Sequence, residues 1–548
     1  MARKSLSNVD TAWLRMEDPT NLMMITGVLV FGTPLDYERL QATLAYGLLR
    51  FDRFRKRVVQ SPLPGGKPFW EDDPDLDLNY HLQRASLPPP GDQAALQDVV
   101  SLLASTQLDQ SRPLWQFHLI ENYGEGCALV CRLHHCIGDG LALVYVLLSL
   151  ADTEPDAAWP VIQPEMEGRR RRQQGRKALR PVRSAFTATR HLARATRQQC
   201  QELRSHPSRI LDLARVGAGG TAALGRLVLR WPDPKTIFKG ELGVPKRAAW
   251  SAPIPLQDVK DAGKGLGGTV NDVLLTAMTG GLRRYLSSRG EPVAGLNIRA
   301  IVPVNLRRPG TEAELGNKFG LVFLSLPVGT ADPVDRVDLL SQRMNDLKGS
   351  LEAPVAFGIL NAIGMSPQAI QDIVVDIFQT KGTAVMTNVI GPRQQIYLAG
   401  APLEALMFWV PQSGRLGMGV SILSYAGQVW MGVITDESLV PDPEAIIAGF
   451  HAEFESLLAA AQRSEGATTI DEMSSLLDDA LAKLDQVLKD QAIATGAATT
   501  ETPTEEPPPE QVPAERAPAR CQALTKTGAP CKNRPLSGSR FCHVHQPE

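Results

Sequence analysis

Residues 127–140 read Cys-Ala-Leu-Val-Cys-Arg-Leu-His-His-Cys-Ile-Gly-Asp-Gly and end in His134-His135-Cys136-Ile137-Gly138-Asp139-Gly140. The apolar run from Cys127 to Leu133 predicts a buried strand that empties into a tight turn. A histidine delivered from a strand end can act as a positioned general base. Its ordinary pKa of about 6.5 leaves neutral imidazole available near neutral pH. Asp139 can brace the loop by pairing with a cation, and Gly140 can let the backbone turn where a side chain would clash. A turn carrying a buried histidine, with no chemistry, satisfies the same residues. The surroundings have to separate the two.

Working outward, Trp115–Asn122 and Cys127–His134 read as a hairpin about Tyr123-Gly-Glu-Gly126. Leu22–Phe31 reads as a strand, Tyr37–Phe51 as a helix, and Gly140–Ala151 as a buried helix just past the motif. Strands are expected at Asn297–Pro303, Leu321–Leu326, Ala384–Val389, Gly417–Leu423 and Gln428–Ile434. Helices are expected at Asn271–Leu286 and Pro443–Leu458. This alternation reads as an α/β (α+β) fold in two halves of similar size, residues 1–165 and 236–462.

Between the halves, residues 166–235 change character. Arg169-Arg-Arg-Arg172 opens a stretch rich in Arg and Lys and poor in acids through Arg209, with apolar residues at loose helical spacing. That suits a basic amphipathic segment on an anionic membrane or lipid-droplet surface. A solvated connector has the same composition. Residues 463–490 carry Ile470, Met473, Leu476, Leu477, Leu481, Leu484 and Val487 at helical intervals, an amphipathic helix. Residues 491–519 are rich in Pro, Glu and Thr, the composition of a disordered tether.

Residues 520–548 form a separate signal. Cys521, Cys531, Cys542 and His545 supply three thiolates and an imidazole, a set that suits structural tetrahedral zinc in a segment too small to fold unaided. His543 is an alternative fourth ligand, and a free cysteine-bearing tail is the plainer reading. The segment resembles small Cys3His modules found as tails on bacterial proteins, and its basic residues leave its partner open.

With 548 residues, 43% of them hydrophobic, the chain can build real cores. A net charge of -2 makes no case for nucleic acid, and seven cysteines make no disulfide framework. The apolar run Leu141–Leu150 has roughly half of the ~20 residues a membrane helix needs. No apolar leader follows Met1, so a cytoplasmic, peripherally associated protein is expected. No Gly-x-Ser-x-Gly elbow marks a serine hydrolase. Gly265-Leu-Gly-Gly268 lacks the lysine of a phosphate-binding loop.

Further blocks stand in order along the chain: Leu6-Ser-Asn-Val-Asp-Thr-Ala-Trp13, Pro113-Leu114-Trp115, Val270-Asn271-Asp272-Val273, Pro303-Val-Asn-Leu-Arg307 with Gly316-Asn317, Asn388-Val-Ile-Gly-Pro392, and Thr435-Asp436 before Pro441-Asp-Pro443. With the heptapeptide, they make residues 1–460 resemble the bacterial wax ester synthase/acyl-CoA:diacylglycerol acyltransferases, relatives of chloramphenicol acetyltransferase and of condensation domains. Gln116 and Met24 depart from the pattern, where the family often has an acidic residue and a histidine.

The resemblance implies two chloramphenicol-acetyltransferase-like domains facing each other across a central channel. It implies acyl-CoA as donor, diacylglycerol or a fatty alcohol as acceptor, and no cofactor for catalysis. The general base falls on His135, with His134 structural and Asp139 holding the loop by an ion pair. Asn271, at a helix start, either helps hold a developing oxyanion or the alcohol, or simply caps the helix. Asn305 and Arg307 line the channel or join the domains. Two rival functions remain. One is a same-fold transferase acting on a carrier-bound or polyketide acceptor. The other is a non-catalytic lipid-surface scaffold whose zinc tail recruits a partner.

Overall fold

The computed structural model describes residues 4–62, 66–155, 157, 230–307, 315–348, 350, 352–363, 375, 379–412, 414 and 416–464. The basic segment up to residue 229, the helix expected beyond residue 464, the tether, and the tail with Cys521, Cys531, Cys542 and His545 lie outside the described residues.

The strand Gly126–His134 has all nine residues buried. It is an interior strand covered on both faces, and this is why its apolar run is continuous rather than alternating. It pairs antiparallel with Met24–Phe31 on one side and Trp115–Tyr123 on the other. The hairpin to Trp115–Tyr123 closes next to Gly124, with Asn122 at φ 60° and Gly124 at φ 55°. Leu82–Ser86 adds in parallel at one edge. At the other edge the sheet recruits Ala401–Trp409 and Tyr397–Leu398 from far along the chain, making six strands.

The second sheet has seven strands. Phe319–Leu326, Ile298–Asn305, Ala384–Ile390, Met418–Tyr425, Gln428–Asp436 and Lys246–Trp250 lie side by side, with Ile254–Pro255 on Gln428–Asp436. Its centre is parallel and its flanks antiparallel. Helix Val270–Ser288 and the helix over 443–464 cover it in one apolar core that includes Leu274, Met278, Leu282, Ile446 and Phe450.

Both sheets belong to one compact unit, Met1–Asp471. The strand Ala401–Trp409 links them physically. Its Trp409 meets Trp250 of the second sheet with ring centroids 5.7 Å apart, and the first sheet's core continues through Leu423, Tyr425 and Ile434. A second bridge is the N-terminal helix Asn8–Arg15. Its Val9 and Trp13 pack with Phe319 of the second sheet and Leu360 of helix Glu352–Ile363.

Candidate active site

His135 follows the last residue of the buried strand and starts the turn. Its backbone N–H donates to the Met23 carbonyl at 2.8 Å, and its own carbonyl accepts from Asn317 Nδ2 at 2.8 Å. The ring stacks on Trp13 with centroids 4.2 Å apart and 19° between planes, and Phe319 lies at 5.6 Å. Only 4% of the residue is exposed. Burial pushes the His135 imidazole down to about 4, against the pull of the Asp139 carboxylate and with the help of His134. The ring is therefore neutral throughout the physiological range.

The ring lines a cavity of about 760 Å³, counted out to its mouth, between the two sheets. Nδ1 is buried and has no hydrogen-bond partner. A proton on that buried nitrogen leaves Nε2 as the ring's acceptor.

Asp139 points away from this ring. It caps helix Gly140–Leu148, accepting from the Ala142 N–H at 3.0 Å through Oδ1. Its Oδ2 takes Arg307 Nη1 at 2.5 Å and the Lys318 N–H at 3.0 Å. The cation that the sequence left open is thus Arg307, delivered from the second sheet just past Ile298–Asn305. Arg307 Nη2 also donates to the Gly316 carbonyl at 2.5 Å. Gly316 adopts φ 125°, a conformation that requires glycine. With its acceptors occupied, Asp139 is no relay for His135 in the manner of a serine hydrolase.

A second network fixes the loop from below. Asp10, fully buried, accepts from Asn317 Nδ2 at 2.8 Å and from Arg53 Nη2 at 2.9 Å. Arg53 Nη1 donates to the carbonyls of Cys136 and Ile137 at 2.9 and 2.8 Å. His134 is turned aside. Its Nδ1 accepts the Cys136 N–H at 3.1 Å, so its proton sits on Nε2, 2.6 Å from Glu17. Burial pushes the Glu17 carboxyl up, but His134, Gln107 and Gln110 outweigh it and hold Glu17 below its ordinary value. The blocks around Trp13 and Asn317 stood out in the sequence, but the roles of Asp10, Trp13, Glu17, Arg53 and Asn317 did not.

Two expectations are corrected. The helix Val270–Ser288 is capped by Thr269 in a capping box with Asp272, so Asn271 is not the cap. Asn271 Oδ1 instead accepts from Asn388 Nδ2 at 2.8 Å, and Asn388 lines the cavity. Gly140 does not avoid a clash: its φ is not positive, and an added Cβ would meet only Val410 at 3.8 Å.

His135, Asn305, Arg307, Thr387 and Asn388 converge on the cavity, while Trp13, Phe319, Phe408 and Val410 supply apolar wall. No serine or cysteine is among its lining residues. No cluster of His, Cys, Asp and Glu able to hold a metal occurs among the described residues. No helix among them is long and apolar enough to cross a membrane.

Two mixed sheets with a strand-end histidine between them define the fold class of condensation domains and their acyltransferase relatives. The chain is similar to the first condensation domain of the calcium-dependent antibiotic synthetase, with 15% identity, a TM-score of 0.53, and cover of 84% of this chain and 96% of that one. It is also similar to the wax ester synthase/diacylglycerol acyltransferase of Marinobacter aquaeolei VT8, with 21% identity, a TM-score of 0.59, and cover of 84% and 100%. At these identities the likeness is one of fold.

Residues 6–274 match the wax ester synthase/diacylglycerol acyltransferase catalytic domain and residues 315–458 match the C-terminal domain of the same family, and the chain belongs to that family. A probable diacylglycerol O-acyltransferase of Mycobacterium tuberculosis is 27% identical over 471 residues, covering 84% of this chain and 96% of its own. A putative one from another strain of that organism is 29% identical over 442 residues, covering 79% and 87%.

Proposed function

We propose that this chain moves a long acyl group from acyl-CoA to diacylglycerol or a fatty alcohol, with His135 as general base. The observation that carries the reading is the neutral His135 ring, lining the cavity between the sheets while Asp139 is engaged elsewhere. Nε2 takes the acceptor's hydroxyl proton as the oxygen bonds to the thioester carbonyl carbon. The C–S bond then breaks, and the imidazolium returns its proton to the leaving thiolate. Burial that disfavours imidazolium favours that return. One base of this kind contributes on the order of 10²–10⁴-fold.

Asn388, positioned by Asn271, offers an uncharged donor at the cavity for the developing oxyanion or the alcohol. The basic segment from Arg169 is read as the contact with an anionic membrane or droplet surface, on the cytoplasmic side. The four-ligand spacing of Cys521, Cys531, Cys542 and His545 supports a structural zinc in the tail, which metal analysis of the purified protein against Cys542→Ser tests.

The test of the activity is acyl transfer from radiolabelled palmitoyl-CoA to diacylglycerol or hexadecanol, with His135→Ala in parallel. Product from the wild type and near-background product from the variant is the expected result. Equal product from both removes His135 from the mechanism.

A further inference from the structure

Beside the catalytic cavity lies a second one, about 830 Å³ counted out to its mouth, between the first sheet and helix Gly140–Leu148. Its lining is apolar, and it includes Gly140 and Phe408, which also line the catalytic cavity. The two spaces therefore adjoin across these residues, Gly140 lying one position after Asp139.

Two glycines in this lining have no conformational reason to be glycine. Gly140, at the meeting point, has the open surroundings described above. Gly27 lies in the middle of Met24–Phe31, at a φ any residue can adopt. An added Cβ there would meet only the Met407 carbonyl at 3.6 Å and Phe408 Cβ at 3.8 Å, ordinary contacts. A glycine inside a strand weakens it and often marks a place where something else approaches the backbone.

Ile25 and Leu29, two residues to either side of Gly27, line the same cavity, so position 27 faces into it. Strand register places Gly27 opposite Phe408 on one neighbour and Cys131 on the other, with Phe117 beyond Cys131. All four line the cavity. The row is Phe408–Gly27–Cys131–Phe117, and its one missing side chain opens a notch in the floor.

We infer that this cavity takes the hydrocarbon chain of a long-chain substrate, entering past Gly140, and that the bare backbone of Gly27 sets how long a chain fits. The inference rests on the transferase reading for its substrate. It adds a specificity-determining residue outside the catalytic loop. The chain belongs either to the acyl donor or to the alcohol acceptor, and the experiment assigns it.

Gly27→Val places two methyl groups in the notch, and Gly27→Ala places one carbon. Valine also suits a strand better than glycine, so melting temperature is expected to hold or rise. Transfer is measured in two arms. In one, acyl-CoA runs from octanoyl to stearoyl with hexadecanol fixed. In the other, the alcohol runs over the same lengths with palmitoyl-CoA fixed.

Each methylene shut out costs roughly fourfold. Gly27→Val should therefore lower the long-to-short ratio of kcat/KM at least tenfold in one arm, with Gly27→Ala between it and wild type. An unchanged length profile in both arms, or a uniform loss at every length, overturns the inference. Calorimetric binding of palmitoyl-CoA and octanoyl-CoA to His135→Ala, with and without Gly27→Val, needs no turnover. A wild type that binds palmitoyl-CoA and transfers nothing would sink the transferase reading while leaving this binding comparison to decide the cavity.

Discussion

Asp139 and Arg307 form an ion pair at 2.5 Å with side-chain exposures of 6% and 1%, joining the histidine loop of one sheet to the strand end of the other. A buried pair is weak evidence for net stability, but removing one partner leaves an uncompensated buried charge.

Arg307→Ala is therefore expected to destabilise the protein by about 3–5 kcal/mol in denaturant unfolding. Asp139→Asn keeps a side-chain oxygen for the Ala142 N–H but leaves the buried Arg307 guanidinium without its counter-charge, and should cost a comparable amount. Both variants should lose transfer activity, because the helix start and the strand end are no longer tied. Arg307→Ala unfolding at the wild-type midpoint would show that the pair does not hold the loop.

The pH dependence of kcat/KM follows from the burial of His135. The proposed base works only when neutral, and burial brings its pKa to about 4. Activity should therefore be flat from neutral pH downward, well past the ordinary histidine value of about 6.5. It should fall as pH drops through about 4, where the ring takes up a proton. Folding shifts in the same direction. The unfolded chain binds this proton first, so stability is undiminished above about 6.5 and declines as pH falls toward the folded value. A kcat/KM profile with its midpoint near 6.5 would mean that the ring is solvated in the working enzyme.

Trp13 covers one face of the His135 ring, stacked with centroids 4.2 Å apart. Trp13→Ala should move the acid limb of kcat/KM upward toward the ordinary histidine value as water reaches the ring. It should also cost about 3–5 kcal/mol, the usual range for deleting a large aromatic from a core. Trp13→Phe keeps an aromatic face and should leave the limb near its wild-type position. Loss of stability in Trp13→Ala with an unmoved limb would make Trp13 a packing residue alone.

The heptapeptide was legible because its chemistry is local: a continuous apolar strand, two histidines and a helix cap lie within a few residues. Its partners were not, because they are remote. Arg307 is 168 positions from Asp139, and Asn317 is 307 positions from Asp10. Most strands of the second sheet appeared within a few residues of their true ends, since each carries a short cluster of β-branched and other apolar residues. Ala401–Trp409 was missed, as a register shift between Leu403 and Ala405 disrupts its alternation and Glu404 interrupts its apolar run. The expected helix Tyr37–Phe51 holds only as Tyr37–Thr43, after which Leu44–Leu48 widens into a π turn. Local spacing could not show that change of winding. Gly140 was read as backbone chemistry, and capping stood beside a site role as a reading of Asn271, the default for those residue types. Only the surroundings reveal that neither the turn nor the cap applies.

Asn271 separates capping from site function. Thr269 holds the cap through its hydroxyl and Asp272 completes the box, so Thr269→Ala should cost about 1 kcal/mol of stability. Asn271→Ala removes no cap and should unfold within about 0.5 kcal/mol of wild type. It does release Asn388, whose amide is held at 2.8 Å. An unanchored donor at the cavity should lower kcat with little change in KM for acyl-CoA, since the interaction matters where charge develops. Asn388→Ala should lose at least as much, and the double variant no more than Asn388→Ala alone, because the two act through one contact. Additive losses in the double variant would place Asn271 in the cavity by a route of its own.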